Sequence, residues 1–206
     1  MKKNKISKNW IIKQHRDPFF KQSKIQGYRS RSAFKLIEMN KKFKFLKKET
    51  YLLDLGCSPG GWAQVATKII SKGEILSVDI KSMDNIHNVN FLKGDLLGNE
   101  ICEKISNYFE KKFDVVISDI AANTTGNRNL DSFRMGELCL IAMNLAKKVL
   151  NKDGVFLSKV FMGSVFNEIN KKARECFKNV IKYKPQSSKK ESKELYIYCK
   201  GFSKVW

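Results

Sequence analysis

Short apolar runs alternate with longer amphipathic segments along most of this chain, and this alternation restricts its fold more than any other feature. Seven runs have the length and composition of β-strands: 51–55, 74–80, 89–94, 113–120, 155–161, 179–185 and 194–200. A helix is predicted to begin near Ser30, and four segments between the strands also have helical spacing: 61–70, 101–112, 131–150 and 164–177. Strands that alternate with helices predict an α/β fold with a doubly wound, mostly parallel sheet of seven strands.

The last two predicted strands differ from the others in how they are connected. The linker between them, PQSSKKESK, is too short for a helical crossover, so we expect these two strands to run antiparallel. Residues 113–118, in contrast, are almost continuously hydrophobic, which is typical of a strand buried on both faces of a parallel sheet. A chain of 206 residues fits a single core of this kind.

The charge of the chain is strongly positive, since 40 basic residues against 20 acidic ones give a net charge of +20. Residues 1–50 alone hold 16 basic and three acidic residues, a local excess of +13. Such a localised excess is typical of proteins that bind the phosphate backbone of nucleic acids. Arg29 and Arg31 lie in the aromatic stretch YRSRSAF and are predicted to contact RNA, because guanidinium groups suit phosphates and stack on bases. A general bias towards lysine in the proteome is the alternative explanation for the lysines alone.

The composition disfavours metal-binding, membrane-spanning and secreted proteins. The five cysteines form no C-x-x-C pair, and with only two histidines no metal-ligand spacing is present, so we expect reduced thiols and no metal. No apolar run reaches the roughly 18 to 20 residues that cross a bilayer, and the stretch MKKNKISKNW lacks the apolar segment of a signal peptide. We therefore expect an intracellular protein without a membrane partner.

Polar residues cluster where the predicted strands end. The first strand leads into DLGCSPGGW, and the carboxylates of Asp79, Asp95 and Asp119 come at the ends of the next three strands. Ligands of open α/β sheets bind outside the carboxyl ends of the strands. Lys159 lies in the fifth strand, and an antiparallel last strand would bring Glu194 to the same edge. The sequence therefore predicts a site at one edge that combines several carboxylates with a lysine.

The glycines after the first strand predict a nucleoside cofactor. Gly56, Gly60 and Gly61 permit tight turns and a close approach of the backbone to a ligand, but their spacing is not the G-x-G-x-x-G of dinucleotide sites. Asp79 follows Asp54 by 25 residues, the position from which a carboxylate reaches the ribose hydroxyls of an adenosine-type cofactor. This combination favours S-adenosyl-L-methionine over NAD.

Five blocks of this sequence resemble one known family. YRSRSAFKLIE, DLGCSPGGW, SDIAAN, LSKVF and KPQSSKKESKELYI are similar to the FtsJ/RrmJ family of ribose 2′-O-methyltransferases, in the same order and over nearly the whole chain from Trp10 onward. The resemblance implies a Rossmann-like fold that depends on S-adenosylmethionine. We predict a basic, RNA-binding extension over residues 1–27 and the methyltransferase domain over residues 28–206.

The resemblance also implies which residues act. The family's Lys-Asp-Lys-Glu tetrad falls on four positions of this chain: Lys35, Asp119, Lys159 and Glu194. Its cofactor contacts fall on five: Gly60, Trp62, Asp79, Asp95 and Asp119. Lys35 is also predicted to contact RNA. Ala122 stands where the family commonly has proline, which would loosen the loop that carries Asp119.

The tetrad suggests a mechanistic hypothesis. A ribose 2′-hydroxyl is a poor nucleophile and must lose its proton as it attacks the methyl group, so a positioned base is required. Lys159 is the predicted base, because burial and the nearby positive charge of Lys35 would favour its neutral form. Asp119 and Glu194 would orient the two amines, and alignment of the reacting atoms would supply much of the acceleration.

Within the family, three stretches point to a substrate. RDPFFKQSK, NTTGNRNLD and KPQSSKKESKELY are most similar to mitochondrial and bacterial enzymes that methylate a uridine in the peptidyl-transferase loop of large-subunit ribosomal RNA. We therefore expect a monomer that acts on an assembling large subunit, in a mitochondrion or other organelle, with the cytoplasm or nucleolus as alternatives. A tRNA ribose methyltransferase, a non-catalytic ribosome-assembly protein that binds RNA, and an NAD-linked oxidoreductase are the alternative functions.

Overall fold

A computed structural model describes residues 16–123, 125–189 and 191–203 of the chain. Within these ranges the strands are β1 (Leu52–Leu55), β2 (Ile75–Asp79), β3 (Asn90–Lys93), β4 (Phe113–Ser118), β5 (Leu150–Phe161), β6 (Phe177–Tyr183) and β7 (Glu194–Phe202). The helices are α1 (Pro18–Ile25), α2 (Ala33–Phe43), α3 (Gly61–Thr67), α4 (Asn99–Ser106), α5 (Arg128–Val149) and α6 (Phe166–Cys176). Most of the predicted N-terminal extension, residues 1–15, lies outside the described residues.

The strands form one seven-stranded sheet in the order β3-β2-β1-β4-β5-β7-β6. Strands β1 to β5 pair in parallel, whereas β7 runs antiparallel to both β5 and β6. Helices α2 and α3 cover one face of the sheet, and α4, α5 and α6 cover the other. Each face has its own apolar core. The prediction of a doubly wound, mostly parallel sheet with an antiparallel last strand is confirmed.

Two element boundaries differ from the prediction by five residues or more. Helix α4 ends at Ser106 rather than near residue 112, because Phe109 turns back to pack its ring 5.5 Å from that of Phe113 at the start of β4. Strand β5 begins at Leu150 rather than near residue 155, since it already pairs with β4 there before the register shifts.

Helix α2 places a lysine inside the molecule. Its residues Phe34, Leu36 and Met39 are buried against the sheet, and Lys35 between them is only 7% exposed. The helix begins at Ala33, three residues after the predicted start at Ser30, whose hydroxyl lies 2.7 Å from that of Ser32.

None of the helices in the described ranges has the length and apolar character needed to cross a membrane. The five cysteines are free thiols. Among the described residues, no group of three or more histidine, cysteine or acidic side chains is arranged to hold a metal ion.

Candidate active site

The antiparallel direction of β7 brings its first residues to the edge where the parallel strands end. In the register of the β5–β7 pair, Lys159 lies opposite Tyr196 and Phe161 lies opposite Glu194. Asp119 follows β4 directly, and β4 is the other neighbour of β5. Three adjacent strands therefore deliver polar side chains to one place.

The four predicted tetrad residues form two ion pairs. Lys159 Nζ lies 3.0 Å from Asp119 Oδ1 and also donates to the Asp119 carbonyl oxygen at 2.7 Å. Lys35 Nζ lies 2.6 Å from Glu194 Oε1. Both lysines are buried, each with 7% of its surface exposed. The structure thus brings all four side chains together; their catalytic roles stay a prediction.

A tyrosine that the sequence reasoning missed connects the two pairs. The Tyr196 hydroxyl donates to Asp119 Oδ1 at 2.8 Å, and Lys35 Nζ lies 5.8 Å from the centre of the Tyr196 ring. Burial, followed by the charges of Asp119 and Glu194, raises the pKa of Tyr196 well above its usual value, so it remains a donor. The signal was present in the sequence, because alternate residues of a strand share a face and Tyr196 stands two positions after Glu194.

The charges of the site keep Asp119 ionised. Burial alone would raise the pKa of this carboxyl, but the positive charges of Lys159 and Lys35 and the hydrogen bond from Tyr196 outweigh it and lower the pKa below the usual value. Asp119 therefore acts as a fixed negative charge beside both amines.

A cavity of about 430 Å³ adjoins Asp119 at the ends of β1, β2 and β4. Four of the predicted cofactor residues line it: Gly56, Asp79, Asp95 and Asp119. Its apolar walls come from several larger side chains, among them Ile80, Leu97, Leu138 and Ile141. A few carboxylates among apolar walls are what a nucleoside ligand requires.

The polar groups of this cavity are held in place by the backbone. Asp79 accepts hydrogen bonds from the Ser58 amide at 2.9 Å and the Lys81 amide at 2.8 Å, one to each oxygen. Asp95 accepts one from the Leu97 amide at 3.0 Å. Each carboxylate keeps further lone pairs for a ligand.

Three other predicted cofactor residues do not line this cavity. A Cβ on Gly60 would lie 2.7 Å from Ile86, and one on Gly61 would lie 2.2 Å from the Ser30 hydroxyl, so both glycines allow close packing. Trp62 is 2% exposed and donates its indole N–H to the Ser32 carbonyl at 2.8 Å. Their geometry supports the loop and helix α3; contact with a cofactor stays a prediction.

The two arginines predicted to bind RNA have partners within the protein. Arg29 donates to the carbonyl oxygens of Asp84 and Asn85 at 2.7 and 2.9 Å. Arg31 pairs with Asp17 at 2.9 Å and donates to the Ser187 carbonyl at 2.6 Å. Both guanidinium groups therefore fasten segments around the site, and their contact with RNA stays a prediction.

The profile of the FtsJ-like methyltransferase family matches residues 28–202, which include the whole tetrad. The chain belongs to the FtsJ-like methyltransferase family. The resemblance seen in the five sequence blocks is confirmed.

Relatives of this FtsJ-like methyltransferase match it over nearly its full length. A protein of Pelagibacter ubique (strain HTCC1062), named ribosomal RNA large subunit methyltransferase E, is 50% identical over 200 residues, covering 97% of this chain and 98% of the relative. A protein of the same name from Acinetobacter baylyi is 40% identical over 206 residues, covering 99% and 95%.

Solved structures place this FtsJ-like methyltransferase among methyltransferases by fold as well. A protein of Plasmodium falciparum described as a ribosomal RNA methyltransferase is 34% identical and superimposes with a TM-score of 0.77, covering 85% of this chain and 98% of that one. The fibrillarin of Methanococcus jannaschii, at 17% identity and a TM-score of 0.56 over 78% of this chain and 70% of that one, shares the fold.

Proposed function

We propose that this chain is an RNA ribose 2′-O-methyltransferase that uses S-adenosylmethionine and acts on large-subunit ribosomal RNA. The observation that carries the proposal is the position of the Lys159–Asp119 pair, which lies directly beside the cavity that Asp79 and Asp95 help to line. A buried amine next to a nucleoside-sized cavity suits deprotonation of a hydroxyl. Membership of the FtsJ-like methyltransferase family supports the same activity.

The cofactor would be held by the cavity residues described above. When bound, S-adenosylmethionine supplies an electrophilic methyl group on a positively charged sulfur. Asp79 would bind ribose hydroxyls from the end of β2, and the backbone at Gly56 would allow close approach, while apolar side chains such as Leu97 would pack on the base.

Lys159 would take the proton from the ribose 2′-hydroxyl. Its Nζ already makes two contacts, to the carboxylate and the carbonyl of Asp119, and these fix the direction of the nitrogen. An amine has three positions for hydrogen or a lone pair, so one is left for the ribose hydroxyl. Asp119, whose Oδ1 also accepts a hydrogen bond from Tyr196, keeps the base aimed at the acceptor.

Lys35 and Glu194 would position the acceptor nucleotide. The carboxylate of Glu194 holds the Lys35 ammonium at 2.6 Å, so this charge is fixed before RNA arrives. A preorganised cation stabilises negative charge that develops on the ribose oxygen and costs no reorganisation during the reaction. Transfer in line with the leaving sulfur then depends on the precision of these contacts.

The more specific substrate that we propose is a uridine of large-subunit ribosomal RNA within an assembling particle. Relatives named for the large subunit support the RNA class. The excess of +13 within residues 1–50 supports a contact with the RNA backbone, and we propose the basic extension 1–27 as the part that provides it. The monomeric state and the compartment stay predictions.

The function is tested with a labelled methyl donor and three RNA samples: large-subunit precursor particles, naked ribosomal RNA and tRNA. We expect the label at one ribose, recognised by resistance of the adjoining phosphodiester to alkaline hydrolysis. Label in tRNA alone would overturn the ribosomal substrate. Donor binding without transfer to any RNA would favour a non-catalytic assembly protein.

The Gly56→Ala variant tests the cavity. Gly56 has φ of +74°, and a Cβ there would lie 2.8 Å from the Cα of Ile120, so one of these two cavity-lining segments must shift. We expect the affinity for S-adenosylmethionine to fall by about 10- to 100-fold, which corresponds to roughly 1.4 to 2.7 kcal/mol. Isothermal titration calorimetry measures it directly.

Gly27→Ala is the matched control for this variant. Gly27 has a similar φ of +71°, but a Cβ there meets no atom within 4 Å. It therefore imposes the same backbone strain without the clash, and donor affinity should stay within about twofold of the parent. An equal loss in both variants would mean that strain alone, and not the cavity at Gly56, explains the effect.

A further inference from the structure

The segment that leads from β6 into Glu194 is fixed by a carboxylate outside the tetrad. Glu38 stands on α2, three residues after Lys35, and so lies about one helical turn away on a neighbouring part of the helix surface. Glu38 Oε1 accepts hydrogen bonds from the Tyr183 hydroxyl at 2.5 Å and the Gln186 amide at 2.7 Å. Its Oε2 accepts from the amide and the hydroxyl of Ser187, both at 3.1 Å.

Glu38 is held as an anion by these contacts. Burial alone would raise its pKa, but the hydrogen bonds from Tyr183, Gln186 and Ser187 outweigh it and lower the pKa below the usual value. Hydrogen bonds to a carboxylate are about twice as strong as neutral ones, so this side chain is a firm anchor for the segment.

The anchored segment continues directly to the tetrad. Ser188, the residue after Ser187, donates its hydroxyl to Glu194 Oε1 at 2.9 Å. The same oxygen pairs with Lys35 Nζ at 2.6 Å. Both serines are nearly buried, at 1% and 6% exposure. These contacts form one continuous network. It begins at Glu38 on α2, passes through Ser187 and Ser188 to Glu194, and returns to α2 at Lys35.

We propose that Glu38 is a positioning residue for methyl transfer, which acts by holding Ser187 and Ser188 so that Glu194 keeps Lys35 in its working orientation. This inference rests on the proposed function. The contacts of Glu38 described above reach neither the donor cavity nor the Lys159–Asp119 pair. The proposed route is the Lys35–Glu194 pair, which Ser188 contacts; Ser187 also accepts a hydrogen bond from Arg31, so the experiments below must separate the two routes.

A conservative change isolates this effect. In Glu38→Gln the amide nitrogen cannot accept hydrogen bonds, so one backbone amide, that of Gln186 or of Ser187, loses its acceptor, and one hydroxyl must reverse to accept, while the size of the side chain is kept. Strands β6 and β7 still pair along their length, so the fold should survive. A shift of about 1 Å in a positioning contact can cost about 100-fold in rate.

The first measurement compares turnover with donor binding. We expect Glu38→Gln to lower kcat by about 10- to 100-fold, with the Kd for S-adenosylmethionine within about twofold of the parent. Tyr183→Phe is the control, because it removes one hydrogen bond to Glu38 but leaves the contacts of Gln186 and Ser187; its kcat should stay within about twofold. Unchanged kcat in Glu38→Gln, or a parallel loss of donor binding, would overturn the inference.

The second measurement tests whether Glu38 acts through Glu194. In a Glu194→Gln background, Glu38→Gln should cause less than about a twofold further loss, since residues of one network are not additive. A full additional loss would show an independent effect and reject the positioning role. A parent chain that transfers no methyl group contradicts the proposed function itself, which is a different result from an active parent with an unaffected variant.

Discussion

Lys159→Ala is expected to lower methyl transfer by about 10²- to 10⁴-fold, the usual contribution of a general base. The Nζ lies at hydrogen-bonding distance from two oxygen atoms of Asp119, which lines the donor cavity. The donor should still bind with a Kd within about threefold of the parent, because Lys159 does not line the cavity. Single-turnover transfer and calorimetric binding separate the two effects.

Lys152→Ala is the matched control for this variant. Lys152 stands on the same strand, β5, but is exposed and lies towards the opposite end. The Lys152→Ala substitution removes one positive charge, as Lys159→Ala does, so a general loss of electrostatic attraction for RNA appears in both variants. Turnover of Lys159→Ala that equals turnover of Lys152→Ala would mean that Lys159 is not the base.

The second large effect concerns stability and comes from Asp54 in β1. This carboxyl is fully buried, and among the described residues no donor reaches its Oδ1, while Oδ2 lies 3.5 Å from the Ser77 hydroxyl. Burial first, and then the charges of Asp119 and Asp79, raise the pKa of Asp54 to about 8. The folded chain therefore favours the neutral acid at a pH at which the unfolded chain is ionised.

The sign of the pH dependence follows from this raised pKa. Below the ordinary value of 3.8, Asp54 is protonated in both the folded and the unfolded state, so its titration does not change the free energy of unfolding. As the pH rises from there towards 8, the unfolded state releases a proton that the folded state keeps, so the free energy of unfolding falls. An asparagine at this position does not titrate. The free energy of unfolding of Asp54→Asn, relative to that of the parent, should therefore rise by on the order of 3 to 4 kcal/mol between about pH 5 and pH 9.

Urea unfolding of the donor-free parent and Asp54→Asn at several pH values in this range measures the gain. A constant offset between the two variants is unimportant, because only the change of their difference with pH reports the titration. Asp153→Asn is the control: a hydrogen bond from Lys178 lowers the pKa of this exposed carboxyl, so it is ionised in both states throughout this range, and its difference from the parent should not change with pH. Parallel curves for parent and Asp54→Asn would show that Asp54 does not titrate anomalously.

Much of the candidate site was predictable from the order of strands. The carboxyl ends of parallel strands share an edge, so Asp79, Asp119 and Lys159 could be placed together from their positions after or within apolar runs. Glu194 required one further inference, that the last strand runs antiparallel. These predictions depend on backbone direction, which short connections and burial patterns reveal.

Other features depend on tertiary packing that no local pattern contains. Lys35 was predicted as a site residue only from the family resemblance. From the sequence pattern alone, a lysine beside Phe34 and Leu36 is expected on the solvent-facing side of an amphipathic helix. Trp62 has the position of a cofactor residue in its motif, yet it packs into the core near Tyr196, with ring centres 5.8 Å apart. Arg29, predicted to contact RNA, binds carbonyl oxygens of its own chain. Contacts between segments distant in sequence decide each of these cases.

The insertion of β7 between β5 and β6 has a consequence for synthesis on the ribosome. Domains generally fold as the chain emerges, from the N-terminal part onward. Until residues 194–202 emerge, β5 has an open edge and β6 has no neighbour in the sheet. The residues that line the donor cavity have emerged by then, but the partner of Lys35 and the tyrosine that donates to Asp119 are still missing. A nascent chain therefore lacks the Lys35–Glu194 pair until β7 takes its place between β5 and β6.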